Sequence, residues 1–325
     1  MDKIKASSAF IDGCVVEKDF FLFSSRLDVQ PHDEYDHGLV VWYFKGKWMY
    51  QTRNWQVSSV CVMRPITAEP RRGYVALEQG TGIVGVYWPG TTASQDEALP
   101  GGESGHGIAS LMDVKQIGSN LYVCGYGGKL MRRTGGKWET FNKGLKALGF
   151  GDYLEQGMAL SDALNARELT QRDMHAIDGF SEQAIFCVGR VGLIFRFDGN
   201  TWVQVDSPTN VDLNCLHCAG DGFVYAAGKS GVLLQGNDKG FYALHTGVDD
   251  DFYSMTWFDG HLYVGGVKGL YRLKNNGLHY VDTKQGAFSC KALDAGDGQL
   301  LVVAERWALV FDGVNWEKIV NPDNI

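Results

Sequence analysis

The stretch MHAIDGFSEQAIFCVGRVGLIFRFDGNTWVQVDS, residues 174–207, decides the fold of this 325-residue chain. It contains four short apolar runs, rich in β-branched and aromatic residues, at 174–177, 184–188, 193–197 and 201–205. Gly, Asp, Asn and Ser separate the runs, and Asp198-Gly199 supplies the positive φ that a tight hairpin needs. Runs of this length and composition predict four antiparallel strands joined by short turns.

The same unit recurs along the chain at a nearly constant spacing. A Gly-x-x-Gly pair lies between the second and third runs and begins at Gly125, Gly189, Gly228 and Gly266. The last three pairs begin 39 and 38 residues apart, and a period of this size is typical of a repeat architecture. Four strands in about 40 residues describe one blade of a β-propeller.

Extending the pattern in both directions predicts an all-β chain with one domain, residues 1–325, of seven four-stranded blades. The blades are placed at approximately 5–55, 56–100, 108–145, 174–208, 211–247, 251–284 and 287–321. A short helical insertion is predicted at about 146–173, which contains good helix formers and Ser161 as a cap. Because a first strand is already predicted at 7–12 and a fourth at 315–320, the ring should close without borrowing an N-terminal strand.

Two turns carry a resemblance to known proteins. In its repeat pattern the chain resembles the β-propeller superfamily over nearly its whole length, and Asp198 to Trp202 and Asp312 to Trp316 share the pattern Asp-Gly-x-x-Trp. They are similar to degenerate kelch or Asp-box turns, but the sialidase Asp-box spaces its Asp and Trp one residue further apart. The resemblance therefore implies a fold, and it carries over no catalytic residue and no specific functional family.

Composition favours a soluble, cytoplasmic protein. No run of 18 apolar residues is present and the N-terminus lacks the apolar core of a signal peptide, so no membrane association is expected. The seven cysteines are an odd number and mostly lie inside apolar runs, which favours buried thiols over disulfides. Cys215 and Cys218 form the one CxxC, but residues three apart on a strand face opposite sides, which argues against zinc.

Four segments exceed the repeat, at 26–38, 93–107, 142–173 and 246–251. In an up-and-down blade, the loop between the second and third strands and the connection to the next blade open on one face of the disc. All four segments are predicted to lie on that face, which we call the insertion face. Loops gathered on one rim of a rigid scaffold are where binding sites are usually built.

Three of these segments are acidic. They contain ten Asp or Glu residues and a single Arg, whereas the whole chain has a formal net charge of −8. Such a surface repels nucleic acid and attracts a basic protein, although acidic loops can also be merely solvated. The predicted partner-binding residues are nine of these ten acids and one aromatic residue of the helical insertion: Asp33, Glu34, Asp36, Asp96, Glu97, Glu103, Asp249, Asp250, Asp251 and Tyr153.

Little in the sequence indicates catalysis. Gly-x-Ser-x-Gly, phosphate-loop and HExxH motifs are absent. The segment HDEYDH, 32–37, could ligate a metal together with His106, but an exposed polar loop is the commoner meaning of such a run. We therefore predict no catalytic residue, no metal and no cofactor. The tryptophans that follow third-to-fourth turns are expected to pack the blades: Trp48, Trp138, Trp202 and Trp316.

Two classes of function remain open at this point. The first is a non-enzymatic, monomeric propeller whose acidic face captures a basic protein, for example an immunity or antitoxin protein that neutralises a bacterial nuclease. The alternative is a propeller enzyme, a metal-assisted lyase or hydrolase, or a general scaffold. A toxin gene beside the gene of this protein would favour the first class, and a metabolic cluster would favour the second.

Overall fold

In the computed structural model, residues 7–28, 37–67, 69–91, 93–101, 110–145, 154, 157–162 and 172–324 are described. They form seven four-stranded antiparallel sheets, each with its strands in sequence order from the inside to the outside. The seven-bladed propeller predicted from the repeat is therefore confirmed. Each blade is complete in its own stretch of sequence, so no N-terminal strand is needed to close the ring.

The first three blades contain twelve strands. Blade 1 contains β1 (Ser8–Glu17), β2 (Phe20–Leu27), β3 (Gly38–Phe44) and β4 (Lys47–Arg53). Blade 2 contains β5 (Val57–Met63), β6 (Gly73–Glu78), β7 (Ile83–Tyr87) and β8 (Gln95–Ala98). Blade 3 contains β9 (Leu111–Ile117), β10 (Asn120–Gly125), β11 (Lys129–Thr134) and β12 (Lys137–Thr140).

The last four blades follow the same order. Blade 4 contains β13 (Met174–Ser181), β14 (Ala184–Gly189), β15 (Ile194–Phe197) and β16 (Trp202–Gln204). Blade 5 contains β17 (Leu213–Cys218), β18 (Val224–Gly228), β19 (Leu233–Asn237) and β20 (Gly240–Leu244). Blade 6 contains β21 (Phe252–Phe258), β22 (His261–Gly266), β23 (Leu270–Lys274) and β24 (Gly277–Tyr280). Blade 7 contains β25 (Cys290–Gly296), β26 (Gln299–Ala304), β27 (Trp307–Phe311) and β28 (Trp316–Val320).

The hydrophobic core is divided into clusters between neighbouring blades. Between blades 3 and 4, Phe141 lies 5.8 Å from the ring of Trp202 and 4.6 Å from that of Phe197. Trp202 is only 3% exposed, and its indole N–H donates to the Phe141 carbonyl at 2.8 Å. The Asp-Gly-x-x-Trp tryptophan of this blade is therefore a packing residue, as its position after the turn predicts.

A ring of hydrogen bonds joins the innermost strands of all seven blades. At each boundary a side chain of one blade accepts a backbone N–H of the next. The pairs, each with the accepting side chain first and the donating N–H second, are Asp12–Val60, Ser59–Val114, Asp113–Ile177, Asp178–Cys218, His217–Trp257, Ser254–Leu293 and Asp294–Val15. The last pair links blade 7 to blade 1 by the same type of hydrogen bond that links the other blades, so the ring closes without a special contact.

His217 is the one imidazole in this ring. Its Nε2 accepts the Trp257 N–H at 3.1 Å, which leaves Nδ1 of the imidazole as the nitrogen that carries a proton in this contact. That Nδ1 lies 3.4 Å from Oδ2 of Asp178. Burial would raise the pKa of Asp178, but the hydrogen bond from His217 and the nearby Lys115 ammonium lower it below its ordinary value.

The predicted helical insertion lies mostly outside the described residues. Within its described part, Leu154 and residues 160–162 are helical, and Ser161 belongs to that turn. Among the described residues, no helix is both long and apolar enough to span a membrane.

Candidate protein-binding face

Tight loops between second and third strands build much of the insertion face. In three successive blades the carboxylate of an Asp just before the next blade's first strand fixes such a loop by accepting one of its N–H groups. Asp173 accepts from Gly127 at 3.0 Å, Asp212 from Val191 at 2.9 Å, and Asp251 from Ser230 at 2.8 Å. These contacts hold the loops and the connections between blades together on one face.

The two glycines of the Gly-x-x-Gly pattern have a steric reason. A Cβ on Gly189 would lie 1.8 Å from the Asp173 carbonyl oxygen, and one on Gly192 would lie 2.0 Å from that of Thr209. Gly192 also has a φ of +70°, which only glycine adopts without strain. The pattern therefore marks close approach of a loop to the neighbouring connection, as well as a turn.

In three blades the third residue of the Gly-x-x-Gly pattern has a left-handed backbone conformation. It is Gly127 in blade 3 with φ +72°, Val191 in blade 4 with φ +53°, and Ser230 in blade 5 with φ +55°. A β-branched residue at positive φ is a genuine outlier and costs on the order of 1–3 kcal/mol. Val191 is nevertheless retained there with 59% of its surface exposed.

Cations cover the aspartates of two of these loops. Arg190 lies 3.3 Å from Asp173, and Lys229 lies 2.8 Å from Asp212. Burial would raise the pKa of Asp212, but hydrogen bonds from Lys229 and from the Val191 N–H lower it below its ordinary value. The charges of this part of the insertion face are therefore compensated within the protein.

The predicted Asp249–Asp251 cluster is divided by the structure. Asp250 is only 3% exposed and accepts the Lys268 N–H at 2.9 Å and the Tyr271 hydroxyl at 3.0 Å. Burial, together with this carboxylate, raises the pKa of Tyr271. Asp251 holds the loop of blade 5, which leaves Asp249 as the exposed member of the three.

Asp96 and Glu97 lie on a strand instead of in a long insertion, which corrects the predicted 93–107 loop. They occupy β8, the outermost strand of blade 2, where successive side chains point to opposite faces. Asp96 binds Arg53 of blade 1 at 2.8 Å, and its side chain is 50% exposed. Burial would raise the pKa of Asp96, but the hydrogen bond from Arg53 lowers it below its ordinary value.

Glu97 faces the other neighbouring blade. It accepts from Arg133 at 2.7 and 2.8 Å and from the Trp138 indole at 2.8 Å, and its side chain is only 10% exposed. The two acids of β8 therefore join blade 2 to the blades on either side. Asp and Glu are poor strand formers, so the sequence of β8 predicts a loop. The arginines that stabilise the strand, Arg53 and Arg133, are distant from it in the chain.

Five predicted site residues lie outside the described residues: Asp33, Glu34, Asp36, Glu103 and Tyr153. The candidate metal segment 32–37 is outside them too, except for His37, as is His106. No group of three His, Cys, Asp or Glu residues in the described part of the chain is arranged to hold a metal ion.

The central channel contains a cavity of about 550 Å³. Each innermost strand has a β-bulge near its beginning, and the bulged residues line this cavity: Ile11, Ser58, Met112, His175, Asn214, Tyr253 and Lys291. Burial, reinforced by Asp113, raises the pKa of Asp12 from 3.8 to about 6, although the Val60 and Gly13 N–H groups oppose the shift. The channel carboxylates already accept backbone N–H groups, so their geometry serves the ring of interblade hydrogen bonds.

Comparison with known proteins gives one informative sequence relative and many structural ones. No family model matches the chain. It is 33% identical over 238 residues to a protein of Pseudomonas aeruginosa described as the immune protein Tsi7, and the match covers 72% of each chain.

Solved structures resemble the chain in fold. The WD40 β-propeller domain of Doa1 superposes with a TM-score of 0.62 at 12% identity, covering 98% of this chain and 94% of that one. YCF48 from Cyanidioschyzon merolae has a TM-score of 0.62 at 12% identity, covering 98% and 97%. At such low identity these structures show the propeller fold alone.

Proposed function

This chain belongs to the family of the immune protein Tsi7, and on that basis we propose that it is an immunity protein that binds and neutralises a bacterial toxin. The observation that carries the proposal is the 33% identity over 72% of both chains. The propeller adds support, because it presents loops of several blades on one rigid face. The action proposed is binding, without chemistry performed by this chain.

The groups that could perform chemistry are largely used to hold the fold. The channel aspartates join the blades, and all seven cysteines, each among the described residues, are free thiols. Burial raises the pKa of Cys124 and of Cys187 well above the ordinary value, so these sulfurs are poor nucleophiles. Free thiols also fit a reducing compartment, and we propose that the protein acts in the cytoplasm as a monomer until it meets its toxin.

We place the toxin on the insertion face and propose that this toxin is basic, as a nuclease is where it contacts nucleic acid. Asp249 is the described candidate acid that still faces solvent there, and Asp96 on β8 is half exposed beside its partner Arg53. The acids of 29–36 and 102–109 complete the proposed acidic set. Charges on such a rim act mainly through the rate of encounter.

The proposal is tested with the products of the genes that flank the gene of this protein, each produced as a candidate toxin. Co-expression should restore growth of cells that produce the toxin, and the purified chains should form a stable complex in which toxin activity is lost. Asp249→Asn should slow association and weaken its dependence on salt, because it removes an exposed charge. The matched control is Asp238→Asn, an acid that is also exposed, in the turn between β19 and β20 on the opposite face.

Failure to bind would reject the toxin-neutralising function. Equal effects of Asp249→Asn and Asp238→Asn would reject the acidic insertion face while leaving the function intact.

A further inference from the structure

Val191 combines two unfavourable features at one point of the insertion face. Its backbone is left-handed, with φ +53° and ψ +37°, and its apolar side chain is exposed. The conformation is imposed from outside the residue, because Asp212 accepts the Val191 N–H and the Asp173 carbonyl accepts that of Arg190 at 3.0 Å. A strained residue that the surrounding structure holds in place is a reason to look for a function.

The equivalent loop of blade 5 shows that valine is not required by the turn. Ser230 has φ +55° and ψ +36°, and its N–H is held by Asp251 in the same way. Gly127 occupies the position in blade 3. Serine and glycine therefore adopt the same left-handed conformation without exposing an apolar group. No contact within the described part of the chain requires a valine at position 191.

Charge near Val191 is already balanced. Arg190 lies against Asp173, and Asp212 lies against Lys229, so each of these two carboxylates has a cation as its partner. A partner that contacts this loop would gain binding free energy from removing the valine side chain from water, and little from long-range electrostatic attraction. Val267, in the corresponding loop of blade 6, is exposed as well, and its N–H donates to the carbonyl of Asp251 in the connection before that blade.

We propose that Val191 is a direct contact residue for the toxin and enters an apolar depression on its surface. This inference rests on the proposed function and assigns the contact to a single loop. It requires an effect on dissociation, because apolar contacts formed after encounter change the lifetime of a complex more than its rate of formation.

Two substitutions separate the side chain from the backbone. Val191→Gly removes the apolar group and relieves the left-handed strain, so its unfolding midpoint should rise. Val191→Ser removes the apolar group and copies the residue that blade 5 uses in the same conformation. Ser230→Gly is the matched control one blade away.

Binding is measured to an inactivated form of the toxin that the co-expression test identifies, at low and high salt. Both Val191 variants should dissociate at least about tenfold faster, with association rate and salt dependence unchanged, and Ser230→Gly should bind like the wild type. If both Val191 variants dissociate within twofold of the wild type, the inference is wrong although the proposed function stands. If the wild type itself does not bind the toxin, the proposed function fails, and the inference with it.

Discussion

Glu97 offers the sharpest choice between two roles for one residue. Its position in an acidic segment predicts a partner contact, whereas its surroundings show a joint between blades 2 and 3. Glu97→Ala would leave the Arg133 guanidinium without its carboxylate and the Trp138 indole N–H without an acceptor. We therefore expect the variant to lose stability and to keep its affinity for the toxin.

The magnitude follows from the burial of the pair. The side chains of Glu97 and Arg133 are 10% and 12% exposed, so the orphaned cation is largely out of water. Removing one member of a buried ion pair costs about 3–5 kcal/mol, and we expect the lower end because some solvent reaches both groups. Asp96→Ala should cost only about 1 kcal/mol or less, since its carboxylate is half exposed and Arg53 keeps its contact with Glu78.

Urea unfolding followed by tryptophan fluorescence measures the loss, and toxin binding is measured on the folded protein well below the unfolding midpoint. A double variant, Glu97→Ala with Arg133→Met, should be less destabilised than the sum of the single variants, because the unpaired charge is gone. The reasoning is refuted if Glu97→Ala unfolds within about 1 kcal/mol of the wild type and binds the toxin weakly.

Two further predictions concern the core and the channel. Trp202→Ala should cost about 3–5 kcal/mol by calorimetry, because it empties a buried site, and Val203→Ala on the same strand should change little; similar melting of the two variants would contradict the packing role. The pKa of Asp12 in the folded state, about 6, exceeds its ordinary 3.8, so the stability that its proton contributes is present below pH 4 and is lost as pH rises through 6. The difference in unfolding free energy between the wild type and Asp12→Asn should therefore shrink over that range and then level off, and a constant difference would show that Asp12 does not titrate there.

The repeat can be predicted from the amino-acid sequence alone. Local signals, namely short apolar runs, turn residues and the Gly-x-x-Gly spacing, carry the number of blades and the packing role of Trp202. The runs and turns depend on residues within one blade, and the spacing repeats them from blade to blade. The sequence contains a further local signal, because an Asp precedes the first strand at 173, 212 and 251, at intervals of 39 residues, which marks Asp251 as part of the repeat.

The contacts and the exposure of the acidic residues depend on the tertiary structure. Asp96 and Glu97 meet arginines from the two neighbouring blades, and Asp250 is buried under a loop of blade 6. A count of charges treats all these carboxylates alike, because it contains no information about which distant cation or N–H group approaches each one. Whether an acid faces a partner or joins two blades depends on contacts between segments far apart in the chain, and only the closed ring brings those segments together.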